Sequence, residues 1–149
     1  MCLRVLPGCK PQIAKRGITC WKYVVEEGLS RWSGPYYGGK FEYGKRVVAE
    51  AAWEMKTVGR LCVEPYRTTR GKKIKCVEEG FHSFRNPVAA WSFNVGGDYL
   101  LYKKLKWCVI PKGAEYCKGR ECQMVSTDIV VFRSFGDYLS YIFKRNKNR

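Results

Sequence analysis

The sequence predicts an α+β fold: a single small domain, mainly antiparallel sheet, with one short internal helix and a C-terminal helix. Three observations predict it. The stretch from Lys106 to Phe132 breaks into short apolar runs divided by Lys-Gly turns, so it reads as two or three short strands. Asn86-Pro87 is a helix start, because Asn can cap free N–H groups and Pro suits the first helical position. Ser134 can cap a last helix in which Leu139, Ile142 and Phe143 recur at helical spacing.

Taken in order, residues 1–17 predict an irregular lead-in, since Pro7-Gly8 and Lys10-Pro11 interrupt any regular element. The domain proper runs over 18–143. Ile18 to Val25 is rich in β-branched and aromatic residues and reads as the first strand, with Trp21 and Tyr23 on one face and Cys20 and Lys22 on the other. Residues 26–44 are dense in glycine and read as a loop or irregular hairpin. Its tip sets Trp32, Tyr36 and Tyr37 among glycines, where rings can stack on a ligand and backbone can approach it. The opposing reading folds these aromatics onto the core. Residues 43–58 hold Val47-Val48 but also Ala49 to Met55, and the helix formers favour a short helix. A brief strand is expected over 61–63.

Arg67, Arg70, Lys72 and Lys73 lie in the densest basic run, either a phosphate-contacting loop or a solvated hairpin tip. The helix from Asn86 runs to about Phe93. Lys103, Lys104 and Lys106 stand beside Tyr102 and Trp107. In the central stretch, Pro111 stops the first strand because it has no N–H for a ladder. Lys112-Gly113 then turns the chain into a strand over 114–117, Lys118-Gly119 repeats the punctuation, and Ser126-Thr127-Asp128 breaks before a strand at Ile129 to Phe132. Residues 144–149 form a basic tail, suited either to the helix C-terminal dipole or to a nucleic-acid arm.

Composition narrows the function. With 149 residues and 46% hydrophobic content, the chain can bury a core and is not a disordered segment. No apolar run approaches the roughly 18 residues that span a membrane, and the first 17 residues hold no long apolar leader. The expected setting is therefore the interior of the producing cell or a particle assembled there, with no membrane partner. Thiols stay reduced in such a setting. Eight cysteines without a CxxC pair, and a single histidine, give no metal site and no cofactor motif. Cys117 and Cys122 can nonetheless face each other across a turn as an oxidised pair.

The net charge is +15, well past the magnitude of about 2–8 that serves solubility in a small domain. Such a field attracts nucleic acid, nucleotides or an acidic protein face. His82 is the one side chain with an ordinary pKa near neutrality, so it is the single candidate for acid–base chemistry, with Glu78 or Glu79 to orient it. Between two phenylalanines, a structural histidine is the competing reading.

The segments Gly80-Phe81-His82-Ser83-Phe84 and Ile110-Pro111-Lys112-Gly113, the latter followed by Tyr116 and Gly119 and by the strand ending at Phe132, resemble small uncharacterised bacteriophage accessory proteins, especially from phages of gut bacteria. The similarity covers roughly 19–132. It implies an origin, inside an infected bacterium or its virions, and transfers no catalytic residue. Three functions follow as expectations. The first is a module binding nucleic acid or a phosphorylated nucleotide, to counter a host defence. The second is a virion or protein-interaction component. The third is a nucleotide-modifying enzyme using His82. Oligomeric state is not legible.

Overall fold

A computed structural model of the chain describes residues 3–34, 39–50, 58–67, 70–71, 73–77, 79–94 and 103–147. It is a small single domain, mostly antiparallel sheet, with a short helix and a C-terminal helix. Among the described residues no helix is long and apolar enough to cross a membrane.

Two strands sit at the centre. β3 (Ile18–Glu27) and β10 (Lys104–Ile110) pair antiparallel over seven residues, from Lys104 opposite Val24 to Ile110 opposite Ile18. Directly opposed residues share a face. One face therefore carries Cys20, Lys22, Val24, Lys106, Cys108 and Ile110, here called the inner face. The outer face carries Trp21, Tyr23, Leu105, Trp107 and Val109.

The sheet extends on both sides of this pair. β13 (Asp128–Val131) flanks β10, and β6 (Arg46–Val48) flanks β13. On the other side come β9 (Phe81–Phe84), β12 (Gln123–Ser126), β11 (Glu115–Lys118) and β2 (Gln12–Ile13). β4 (Arg31–Ser33) and β5 (Lys40–Glu42) continue from β3, and Trp32 packs with Phe41 and Phe81 at centroid distances of 4.9 and 5.9 Å. A second, three-stranded sheet holds β1 (Leu3–Arg4), β8 (Lys73–Val77) and β7 (Glu64–Arg67). Its residues Leu3, Val5 and Val77 form a core with Cys117 and Val125 of the large sheet.

The two helices cover the outer face. In α1 (Pro87–Asn94), Asn86 Oδ1 accepts the Val88 N–H at 2.8 Å, the cap expected from sequence. Tyr23 donates its hydroxyl to the Ala90 carbonyl and ties α1 to β3. In α2 (Phe135–Lys147), Ser134 Oγ accepts the Asp137 N–H at 3.2 Å. Tyr138, Tyr141 and Ile142 pack on Val109, Val130 and Phe132. Of the three residues expected to form the buried stripe, Ile142 alone does so; Leu139 and Phe143 are exposed.

Several expectations are corrected. The lead-in holds β1 and β2, because burying Leu3 and pairing two short edges needs partners far along the chain. Arg46–Val48 is a strand, with Val47 opposite Ile129, so the helix does not begin at 43; residues 51–57 lie outside the described set. Residues 61–63 precede β7, and Leu61 serves the second core without strand pairing. The central stretch supplies four strands, since Gln123–Ser126 pairs on both sides. α2 continues through Lys144 into the basic tail.

Gly119 is a case where the residue type was read correctly and its reason was not. The turn lies further on, at 120–123, with Glu121 and Cys122 at φ of 57° and 60° and Gln123 N–H donating to the Arg120 carbonyl. Gly119 is needed for close approach: a Cβ there would lie 2.5 Å from Leu3 Cδ1. Cys117 and Cys122 are both free thiols.

Lys22 is the conspicuous cost of this arrangement. Alternation puts it on the inner face, where it is 6% exposed and donates to the His82 carbonyl at 2.9 Å. Burial pushes its amine down to about 8 from the ordinary 10.5. A lysine whose folded pKa is depressed binds fewer protons folded than unfolded, so stability should rise as pH climbs from about 8 to 10.5. At about 1.4 kcal/mol per pKa unit the gain is roughly 3 kcal/mol. Urea unfolding across that range should show it, and Lys22→Met should abolish the rise and stabilise the protein at pH 7. Truncating the buried indole, Trp32→Ala, should instead destabilise by about 3–5 kcal/mol in the same measurement.

Candidate functional site

One concave feature of the described surface lies where α2 faces the turn after β5. It is a groove of about 340 Å³ lined by Tyr43, Gly44, Phe132, Arg133, Asp137, Ser140, Tyr141 and Lys144. Four of these come from one helix face. Asp137, Ser140, Tyr141 and Lys144 are spaced i, i+3, i+4, i+7, which places them on one side of α2. Phe132 supplies the floor from the end of β13. Tyr43 and Gly44 form the opposite wall, held by a hydrogen bond of Gly44 N–H to the Val131 carbonyl at 2.8 Å.

The wall is reinforced by a charge cluster. Glu26, near the end of β3, receives Lys106 on one carboxylate oxygen at 2.7 Å and Lys104 on the other at 2.9 Å. The hydrogen bond from Lys106, then that from Lys104, pulls its carboxyl down to about 2. Lys106 also donates to the Arg133 carbonyl at 2.8 Å and sits 5.6 Å from the centre of the Tyr43 ring. Tyr43 directs its hydroxyl toward Glu26. Burial, and next the Glu26 charge, push this phenol well above its ordinary value, so it keeps its proton throughout the working range.

Arg133 and Lys144 are a different kind of cation. Both are exposed, and among the described residues neither enters an ion pair. Their charge faces solvent beside the half-buried rings of Tyr43 and Tyr141. Asp137, the one carboxylate of the groove, also lies outside every ion pair among the described residues.

The residues singled out from sequence do not converge. Trp32 is fully buried, so it cannot stack on a ligand; its ring closes the core against Phe41 and Phe81. Tyr36, Tyr37 and Lys72 lie outside the described residues. Arg67 and Lys73 are opposed in the β7–β8 hairpin, with Arg70 in its turn, all in the smaller sheet. The three lysines of β10 are split by strand alternation. Lys104 and Lys106 share the inner face and are neutralised in part by Glu26, whereas Lys103 belongs to the opposite face. His82 lies inside β9 opposite Val125, half-buried, four residues before the Asn86 cap of α1. It does not line the groove.

Of the groove's residues, only Lys144, at the head of the basic tail, was read from sequence as a nucleic-acid contact. Their one legible signal was the helical spacing of Asp137, Ser140, Tyr141 and Lys144. Arg133, Phe132 and Tyr43 reach the site only through β-sheet pairing. Compared with known families, curated proteins and solved structures, the chain matches none.

The Glu26 cluster makes an acid-range prediction. A carboxylate with a depressed folded pKa stabilises above its unfolded value and loses that contribution as pH falls through the folded one. Unfolding measurements between pH 4.5 and 2 should show the loss, and Glu26→Gln should flatten it. The partial exposure of the cluster keeps the effect small.

Proposed function

We propose that this protein binds a phosphorylated nucleotide in the groove between α2 and the Tyr43–Gly44 turn. The observation that carries the reading is the pairing of two uncompensated cations, Arg133 and Lys144, with the half-buried rings of Tyr43 and Tyr141 in one concavity. Cations hold phosphate through charge-assisted hydrogen bonds, and aromatic faces accept a base without regard to its hydrogen-bonding edge. The overall charge of +15 raises the local concentration of any such anion. The resemblance to phage accessory proteins supplies a context: a small protein that sequesters a nucleotide signal of a bacterial defence inside the infected cell.

A continuous nucleic-acid strand is the second reading, favoured by the exposed cations Arg70 and Lys73 at the hairpin of the smaller sheet. Salt separates the two. Counterion release makes strand binding fall steeply as salt rises, with a slope set by the number of phosphates contacted.

Calorimetric titration with nucleoside monophosphates and diphosphates, and with a single-stranded oligonucleotide, at low and physiological salt, tests both. Nucleotides should bind with a shallow salt slope, and Arg133→Ala or Lys144→Ala should each weaken them about tenfold, in keeping with the roughly 1.5–3 kcal/mol of a hydrogen bond to a charged group. Binding of the oligonucleotide alone would overturn the nucleotide reading.

A further inference from the structure

Apolar surface is left uncovered on both helices. In α2, Phe135, Leu139 and Phe143 are spaced i, i+4, i+8 and all three are exposed, Phe143 by 62%. Asp137, on the groove side, follows Phe135 by two residues, which is about 200° round the helix at 3.6 residues per turn. The apolar stripe and the groove therefore lie on different sides of α2. Trp107 packs against Phe135 at 4.6 Å and against Trp21 at 4.9 Å, and both indoles are half-buried, so the stripe continues onto the outer face of the sheet. On that same face α1 exposes Val88 and Trp91, the indole by 65%. Of the eight large hydrophobic residues exposed among the described residues, five stand on these two short helices. Scattered single residues of this kind are ordinary, but a concentration on one side marks a contact surface.

Charge sorts with it. α1 carries no charged side chain. Phe143 runs directly into Lys144 and Arg145, with Lys147 and Arg149 further on. The one acid on either helix, Asp137, lies on the groove side of α2. What covers this face must therefore be apolar within and negative where it meets the cations. A second copy of the chain would bring another +15 to the contact, and like charge opposes that pairing. A bilayer with anionic headgroups has the required order of layers. It is also continuous, so it receives side chains from two separate helices without a matched shape. Tryptophan suits the headgroup level, and an apolar face joined to a basic cluster supplies the two signals that stable membrane association takes.

We infer that this face docks on an anionic lipid bilayer, with Trp91, Leu139 and Phe143 entering the surface and the cations from Lys144 onward meeting the headgroups. The helices lie on the membrane and do not cross it, so no long apolar run is required of the sequence. Because the groove opens on the other side of α2, this docking does not depend on the nucleotide reading.

The test is flotation of the full chain with vesicles of phosphatidylcholine alone, and of phosphatidylcholine with an equal part of phosphatidylglycerol, at low and physiological salt. The wild type should float with the anionic vesicles, less at the higher salt, and stay behind with the neutral ones. The double variant Leu139→Gln/Phe143→Gln keeps every charge and should bind the anionic vesicles at least about tenfold more weakly, as should Trp91→Gln, because each removes apolar burial. Thermal unfolding checks each variant, and since the two lie on different helices, a failure of one to fold leaves the other as the test. Absent flotation, equal flotation with neutral vesicles, or undiminished flotation of a folded variant would overturn the proposal. A wild-type dimer in sedimentation that the double variant abolishes would assign the face to a second copy and overturn it as well.

Discussion

The register between β3 and β10 is the constraint on which the rest of this structure depends. Side chains alternate with a period of two, so the pairing of Cys108 with Cys20 and Trp107 with Trp21 decides the face of every residue on both strands. A slip of one residue between them would misalign Trp21 and Trp107, which lie 4.9 Å apart on the outer face. It would also break the alignment that brings Lys104 and Lys106 to Glu26. Trp107 in turn contacts Phe135 and Tyr138, so the seat of α2 is set by the same ladder. The groove exists because α2 is seated there and because β13, the neighbour of β10, delivers Phe132 and Arg133 to its edge.

Electrostatics then sorts the cations into distinct roles. A charge of +15 suggests a uniformly positive surface, but Lys22 and Lys106 of the inner face are largely withdrawn from it, and Lys104 is exposed but ion-paired. Lys22 is buried against a backbone carbonyl and over the edge of the Phe81 environment, at 6.0 Å from that ring. Lys104 and Lys106 share one carboxylate, which lowers the local charge and fixes Tyr43. Removing these from the field leaves Arg133 and Lys144 as cations that meet solvent in a concave setting. Exposure in a concave setting without an ion-pair partner among the described residues, and not abundance of charge, is what distinguishes them.

Legibility of the sequence follows how local each cause is. The caps at Asn86 and Ser134 were readable because a cap is decided within three residues. β3, and the strands before Pro111 and after Thr127, were readable because β-branched runs and punctuation are local too. Trp32 was misplaced because a tryptophan between glycines looks the same whether its ring faces water or Phe81, and the choice is made by a strand some fifty residues later. β1 and β2 were missed for the same reason: two-residue strands have no pattern of their own, only partners. Lys103, Lys104 and Lys106 read as one cluster in one dimension, and strand alternation divided them.

From its residues alone, this chain determined an antiparallel α+β domain, its two helix starts, its excess of positive charge and the two faces of its first strand. These follow from local propensity, capping and composition, which act over a few neighbouring residues. Tertiary structure alone decided where charge and aromatic rings coincide. Tyr43, Phe132, Arg133 and the polar face of α2 are brought together by β10–β13 pairing and by helix docking. Contacts of that kind depend on which surfaces bury each other, and no window of adjacent residues contains that information.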